Sequence, residues 1–341
     1  MGDDQILLLA GDIGGTNTRL QLWGWDGAKF HLFARNNFES QRYTGLIPVI
    51  GDFLDRQFCN TNVQVKAACF GVAGPIQGKT AKLTNLPWRL DEDEIMQECG
   101  ISLVKLINDF EAIGYGIDAL DPADLIPLQA GEQIPREPRV VIGAGTGLGV
   151  CLMAWCEGGY RVLPSEGGHA DFSPLDELQY GLQKFLAKRH GHVSYERVVS
   201  GPGLVEICEY LCATGGEDGA KTWAELQCSE DVAAEISRIG MDGANPFTSL
   251  ALDIFSRTYG AYAGNLALIS LAKGGVYIAG GIAPKLIDKL RDGSFMGSFY
   301  SKGRYESYLS SLPVSVIANP DVGLLGARQV AFDLLSKSLP V

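Results

Sequence analysis

Short apolar runs with the two-residue period of strands open the chain. Ile6–Asp12, Thr18–Trp25 and Lys29–Arg35 read as three consecutive strands, the last two joined at an Asp26-Gly27 turn. The period then changes: Leu46, Ile47, Ile50, Phe53, Leu54 and Phe58 fall on one helical face. Val63–Val72 returns as a strand, a helix is expected from about Asp91, and Leu103–Ile107 reads as a strand that delivers Asn108-Asp109 at its end.

Asp121 to Pro138 is rich in proline and turn formers and reads as a connector. From Arg139 the pattern restarts, with a strand Arg139–Ile142, a second glycine-rich turn, and strands Val150–Trp155 and Tyr160–Leu163. The middle is helical. Ser173-Pro174 is expected to cap a helix running to about Leu186, with Asp176 and Glu177 near its positive end. Asn245-Pro246 opens a long apolar-periodic helix that stops by Gly274-Gly275. A strand Val276–Ala279, a helix from about Pro284, a strand Val314–Ala318 and a closing helix near 323–335 complete the pattern. Aligning Gly14 with Gly145 sets apolar strands against apolar strands, with Gly143 opposite Asp12, so the chain reads as a weak internal repeat.

The two turns carry most of the chemistry. Gly11-Asp12-Ile13-Gly14-Gly15-Thr16-Asn17 and Gly143-Ala144-Gly145-Thr146-Gly147-Leu148-Gly149 each join two strands. Glycine lets backbone N–H groups converge on an anion, so a pair of such turns suits the phosphates of a nucleotide. Only the first carries a carboxylate, Asp12, which points to a hard cation such as Mg²⁺ held mainly through water. An Asp that merely fixes its own turn is the plainer alternative. Thr16 and Thr146 offer hydroxyls to phosphate oxygens, and Gly280-Gly281, after a strand, suits close packing against a base or ribose.

Composition narrows the partners. With 341 residues, 46% of them hydrophobic, the chain can bury a large core and is expected to form two domains. A net charge of −12 argues against nucleic acid, which needs a basic face, but not against ATP, whose charge is met locally. The acidic start and the broken apolar stretch 261–283 suggest neither signal peptide nor membrane span. The eight cysteines, at 59, 69, 99, 151, 156, 208, 212 and 228, form no Cys-x-x-Cys pair and read as reduced thiols in a cytoplasmic protein.

Asp109 stands where open α/β sheets bind ligands, at the carboxyl end of a strand, and a carboxylate there can accept the proton of an attacking alcohol. On spacing alone it could equally cap the helix that follows. Glu166-Gly167-Gly168-His169 forms a compact polar turn whose carboxylate and imidazole match the hydroxyls of a sugar. Zinc is a weak rival, because His190 and His192 form no familiar ligand spacing with His169. Glu196, beside Arg197 and near Arg189 in sequence, could simply be an ion-paired surface group.

Taken together, 10–17, 107–110, 143–149, 166–169, 196–203 and 278–282 closely resemble the bacterial glucokinase family, the ATP-dependent hexokinase-like enzymes distinct from the ROK sugar kinases. The resemblance covers nearly the whole chain. It implies an α/β actin-like ATPase (ribonuclease H-like) fold of two domains with a central cleft: a small domain from 1–109 plus about 319–341, and a large one from 110–318. It implies Asp109 as catalytic base and Asn85, Asn108, Asp109, Glu166, His169 and Glu196 as glucose contacts. ATP would be held by Gly11, Asp12, Gly14, Gly15, Thr16, Asn17, Gly145, Thr146, Gly147, Gly280 and Gly281, with Mg²⁺ near Asp12. A homodimer is implied as well. Closure of the domains over the sugar is expected on physical grounds, because water in an open cleft would compete as the nucleophile. The cysteine cluster of ROK kinases is missing, since no cysteine falls between Cys156 and Cys208. Kinases for fructose or mannose, an actin-like ATPase without sugar kinase activity, and a non-catalytic sugar sensor remain the rival readings.

Overall fold

The computed structural model describes residues 6–57, 64–83 and 86–338. It forms two compact units, 1–122 with 321–341, and 123–320. The first begins with an antiparallel meander of β1 (Ile6–Ile13), β2 (Asn17–Trp25) and β3 (Phe30–Glu39). Next come α1 (Leu46–Gln57), β4 (Val65–Val72) and a small sheet of β5 (Ile76–Gln77), β6 (Thr80–Lys82) and β7 (Arg89–Asp91). Then follow α2 (Glu92–Cys99), β8 (Leu103–Asn108) and α3 (Asp109–Gly116). The main sheet has the order β3-β2-β1-β4-β8, with β4 parallel to β1 and β8 parallel to β4.

Strand alternation sorts the side chains of this sheet onto two cores. Leu7, Leu9, Phe70 and Val72 face Val49, Ile50 and Phe53 of α1 and Ile95 of α2. Leu8, Ala10, Ala67 and Cys69 face the other way, against Ala112 of α3 and Leu324, Ala327 and Ala331 of the C-terminal helix. The small side chains there let that helix lie close to the sheet.

The second unit contains β9 (Leu125–Gln129), β10 (Arg139–Ala144), β11 (Leu148–Cys156), β12 (Gly159–Ser165), α4 (Glu177–His190), α5 (Gly201–Thr214), α6 (Gly216–Leu226) and α7 (Val232–Met241). It continues with α8 (Pro246–Ser270), β13 (Val276–Ala279), α9 (Ile287–Arg291), α10 (Ser294–Tyr300), α11 (Glu306–Leu309) and β14 (Val314–Ile317). The chain then returns to the first unit as α12 (Val322–Ser338). The second sheet runs β12-β11-β10-β13-β14-β9, with β13 and β14 parallel to β10. Both sheets thus share an antiparallel meander extended by two parallel strands, the plan the internal repeat suggests, and the second adds β9 as an antiparallel edge strand. Tyr259 of α8 is fully buried against Phe255 and Phe295, and its hydroxyl reaches Ile142 O and Ala144 N at the end of β10.

Several expected boundaries move. The first unit continues past residue 109 to 122, because α3 and its small Ala112 pack beside α12. The expected connector 121–138 contains β9, an edge strand antiparallel to β14 and able to hold Pro127 because it is an edge. Asp176, not Ser173, caps α4, its carboxylate accepting from Gln179 N at 2.9 Å. β3 runs on to Glu39, and the helix expected near Pro284 starts at Ile287. Asn245 caps α8 as expected, accepting from Phe247 N and Thr248 N. Phe58, Cys59, Val63 and Asn85 lie outside the described residues. The other seven cysteines are free thiols, and Cys69, Cys151, Cys208 and Cys212 are buried.

Candidate active site

In the first unit, parallel pairing brings three strand ends to one edge. Ile13 is level with Val72, and Val72 with Asn108. Asp12 and Asp109 therefore share the carboxyl edge of the sheet, near the ends of β1 and β8 with β4 between them. The first glycine turn spans Gly14 to Asn17, closed by Gly14 N donating to Asn17 O at 2.9 Å. Ser40, just after β3, braces it: Ser40 Oγ donates to Gly14 O and Ser40 N to Thr16 O, each at 2.9 Å. Thr16 and Asn17 are exposed at the tip. Gly11 is not part of the turn but buried within β1, where a Cβ would overlap Phe70 and Leu20; packing explains this glycine.

Asp12 does not stand alone. Arg19, opposite it on β2, donates from Nε at 3.0 Å and from Nη2 at 2.6 Å to Asp12 Oδ2. Its Nη1 donates to Asp321 Oδ1 at 3.0 Å, and Gln21 Nε2 donates to Asp321 Oδ2 at 3.2 Å. Arg19 thus ties the carboxylate beside the first glycine turn to the start of α12. The Asp12 side chain remains 31% exposed, so its oxygens can still be reached by a hydrated cation. Among the described residues no cluster of three or more His, Cys, Asp or Glu could hold a metal. That donor set fits Mg²⁺, which keeps most of its waters and takes phosphate oxygens, and does not fit a zinc cage.

Asn108, rather than Asp109, caps α3. Its Oδ1 accepts from Phe110 N at 2.9 Å and Glu111 N at 3.3 Å, and Glu111 Oε2 accepts from Asn108 N in return at 3.4 Å. Asp109 is the first residue of the helix, with Oδ1 accepting from Phe110 N at 3.0 Å. The capping role that competed for Asp109 therefore belongs mainly to its neighbour. Burial raises the Glu111 carboxyl above its usual range, with the Asn108 N–H partly opposing the shift.

The second unit builds its own edge. Gly145 N donates to Gly147 O at 2.8 Å to close a turn one residue shorter than the first, and Thr146 is exposed at its tip. Gly201 N, opening α5, donates to Gly145 O at 2.9 Å. Gly280, level with this turn through the β10–β13 pairing, has φ +82°, and a Cβ there would overlap Ala144 O, so close backbone approach requires glycine. Gly281 beside it is exposed.

The Glu166-Gly167-Gly168-His169 turn leaves β12 at the same edge. His169 Nε2 lies 3.9 Å from Glu166 Oε2, and His169 Nδ1 lies 4.0 Å from Glu196 Oε1. Those separations exceed hydrogen bonds, so all three groups keep bonding capacity for a ligand. Tyr262 of α8 donates to Gly167 O and stacks at 3.8 Å between ring centroids on Tyr195, the neighbour of Glu196. Asn265 Nδ2 reaches the Tyr195 hydroxyl at 3.3 Å. Burial pushes the Tyr262 phenol up to about 12, which keeps it a donor at neutral pH. The rival pairings are also settled. Arg189 binds Glu209 through two 2.7 Å bonds, not Glu196. His190 and His192 pair with Glu206 and Asp171.

Sequence spacing brought out neither Arg19 nor the Tyr195–Tyr262 stack. A signal existed for Arg19: hairpin register sets it opposite Asp12, an opposite-charge cross-strand pair. Nothing in spacing links Tyr262 to a turn 95 residues earlier.

Two open sheets on one plan, each with a glycine turn at its carboxyl edge, define the two-lobed actin-like ATPase class. The chain belongs to the glucokinase family, whose model, described as Glucokinase, matches residues 9–333. It is similar to a glucokinase of Nostoc punctiforme, 44% identical over 339 residues that cover 95% of this chain and 98% of the relative. A glucokinase of Synechocystis sp. is 41% identical over 97% of this chain and 99% of its own. The crystal structure of a glucokinase from an Antarctic psychrotroph matches with a TM-score of 0.82 at 31% identity, covering 96% of this chain and 99% of that one. Among the described residues no helix is long and apolar enough to cross a membrane.

Proposed function

We propose that Asp109 is the general base in the reaction of this glucokinase-family chain, transfer of the γ-phosphoryl group of ATP to the 6-hydroxyl of glucose. The observation that supports this role is place: Asp109 opens α3 directly after β8, at the carboxyl edge of the sheet, and the cap of α3 is supplied by Asn108. In a loose phosphoryl-transfer transition state the alcohol's proton is lost late, and a carboxylate held on the hydroxyl both aims it and accepts the proton.

Glucose is held by Asn85, Asn108, Glu166, His169 and Glu196. With Asn108 Oδ1 occupied by capping, its sugar contact falls to the Nδ2 donors, and Glu166, His169 and Glu196 supply acceptors and a further donor. The turn N–H groups at Gly14 to Asn17 and Gly145 to Gly147, with the Thr16 and Thr146 hydroxyls, receive the phosphates, and Gly280-Gly281 receives the nucleoside. A magnesium ion bound with ATP supplies positive charge to the phosphates, and Asp12 would hold it through water. A cytoplasmic setting and association of two copies belong to the same reading, supported by the free thiols and by family resemblance respectively.

A coupled ADP-release assay across a panel of hexoses tests the whole. ADP release that depends on glucose and on magnesium is expected. ADP release indifferent to any hexose would overturn the sugar assignment, and a marked preference for fructose or mannose would overturn the choice of glucose.

A further inference from the structure

One residue sits where the nucleotide turn and the sugar-facing side chains of the second unit meet. Leu148 follows directly on the glycine turn Gly145-Thr146-Gly147. Its N–H donates to Glu196 Oε2 at 2.9 Å. Its carbonyl lies so close to Gly168, within the Glu166–His169 turn, that a Cβ there would overlap it. Gly147 is equally constrained: a Cβ on it would overlap Glu196 Oε2 itself. The far end of the same segment is tied too, through Gly201 N to Gly145 O at 2.9 Å and Ser200 Oγ to Glu196 O at 2.7 Å. One Glu196 oxygen is therefore fixed by the nucleotide turn, while the other faces His169 at 4.0 Å.

We propose that the Gly147–Leu148 peptide is a positioning element for hexose binding. Its N–H fixes one oxygen of Glu196 so that the other is aimed at the sugar, and the absence of a side chain at Gly147 leaves room for that carboxylate. A glycine of the phosphate-facing turn thereby sets sugar affinity even when no nucleotide is bound. The same hydrogen bond links the two ligands energetically, because any shift of Glu196 on sugar binding acts on the turn, and such coupling is reciprocal. The proposal rests on the reading of Glu196 as a sugar contact.

The test is glucose binding by calorimetry without nucleotide. In Gly147→Ala the new methyl meets the flexible end of Glu196 rather than backbone, so the chain is expected to fold and the carboxylate to swing away. Glucose affinity should fall about tenfold or more, as for a lost hydrogen bond to a charged group. Gly159→Ala, at the start of β12, adds a methyl with nothing within 4 Å and should leave glucose affinity within about twofold. Glu196→Gln should weaken glucose as well, and Gly147→Ala added to it should cost little more, since both act through one carboxylate. Weakening by Glu196→Gln but not by Gly147→Ala overturns the positioning role and leaves the sugar contact standing. Unchanged affinity in Glu196→Gln overturns the contact itself. Should Gly147→Ala not fold, the backbone amide resonance of Leu148 in the wild-type chain decides: it should shift on addition of glucose alone, and an unmoved resonance contradicts the proposal.

Discussion

The two glycine hairpins share one backbone plan and divide the work by what each places beside its turn. In the first, β1 and β2 set Asp12 against Arg19, and Arg19 reaches on to Asp321 at the head of α12. In the second, Gly143 pairs with Gly149 where the first has Asp12 and Arg19, and no charge is set there. Its contribution is a backbone donor, Leu148 N, which holds a carboxylate 48 residues away. Each turn is braced at the equivalent carbonyl, Gly14 O by the Ser40 hydroxyl and Gly145 O by the Gly201 N–H. The same scaffold thus offers side-chain charge at one turn and backbone geometry at the other. Removing charge should cost rate in the first unit, and adding bulk should cost affinity or stability in the second.

The largest effect is expected at Asp109. Asp109→Asn keeps shape and most hydrogen bonds but cannot accept a proton, so kcat should fall by roughly 10²–10⁴-fold while calorimetric glucose affinity stays within a few-fold. Turnover close to wild type would remove the residue from the role of base. Asp12→Asn comes next. It should lower kcat/KM for ATP by roughly tenfold to a hundredfold and raise the magnesium concentration needed for half-maximal rate. Its melting temperature should change little, because the Arg19 pair it weakens is about a third exposed.

In the second unit, Gly280→Ala must put a side chain at φ +82° against Ala144 O and should destabilise the fold by about 1–3 kcal/mol in denaturant titration. Gly281→Ala, where nothing lies within 4 Å, should stay within about 0.5 kcal/mol. Equal effects at the two positions would deny that Gly280 is there for backbone approach.

The smallest effect concerns pH. Glu111 has its carboxyl raised by burial, so the folded chain binds its proton more tightly than the unfolded chain does. Its contribution is complete below the ordinary carboxyl range and is lost as pH rises through the raised value. Glu111→Gln should therefore flatten the decline in melting temperature from acid to neutral pH. An unaltered slope would show that its charge costs nothing in the fold.

What the sequence made legible was local. Glycines in the two turns, Asn245-Pro246 at the start of α8 and alternation along β1 each act on their immediate neighbours, so spacing exposes them. The failures are of two kinds. Pro127 disguises β9, since proline reads as a breaker until the strand is known to be an edge. Ser173-Pro174 resembles a cap as well as Asp176 does, and only packing decides between them. Within the candidate site, residue types identified Asp12, Glu166, His169 and Asp109. The contacts that orient them, Arg19 to Asp321, Tyr262 to Gly167 and Leu148 to Glu196, join residues brought together only by the fold.

The most direct measurement is a crystal structure of the chain with glucose and a non-hydrolysable ATP analogue. The Asp109 carboxylate is expected within hydrogen-bonding distance of the sugar's 6-hydroxyl, with that oxygen in line with the γ-phosphorus. A carboxylate turned away from the hydroxyl in that complex, with another group taking its place, would contradict this expectation.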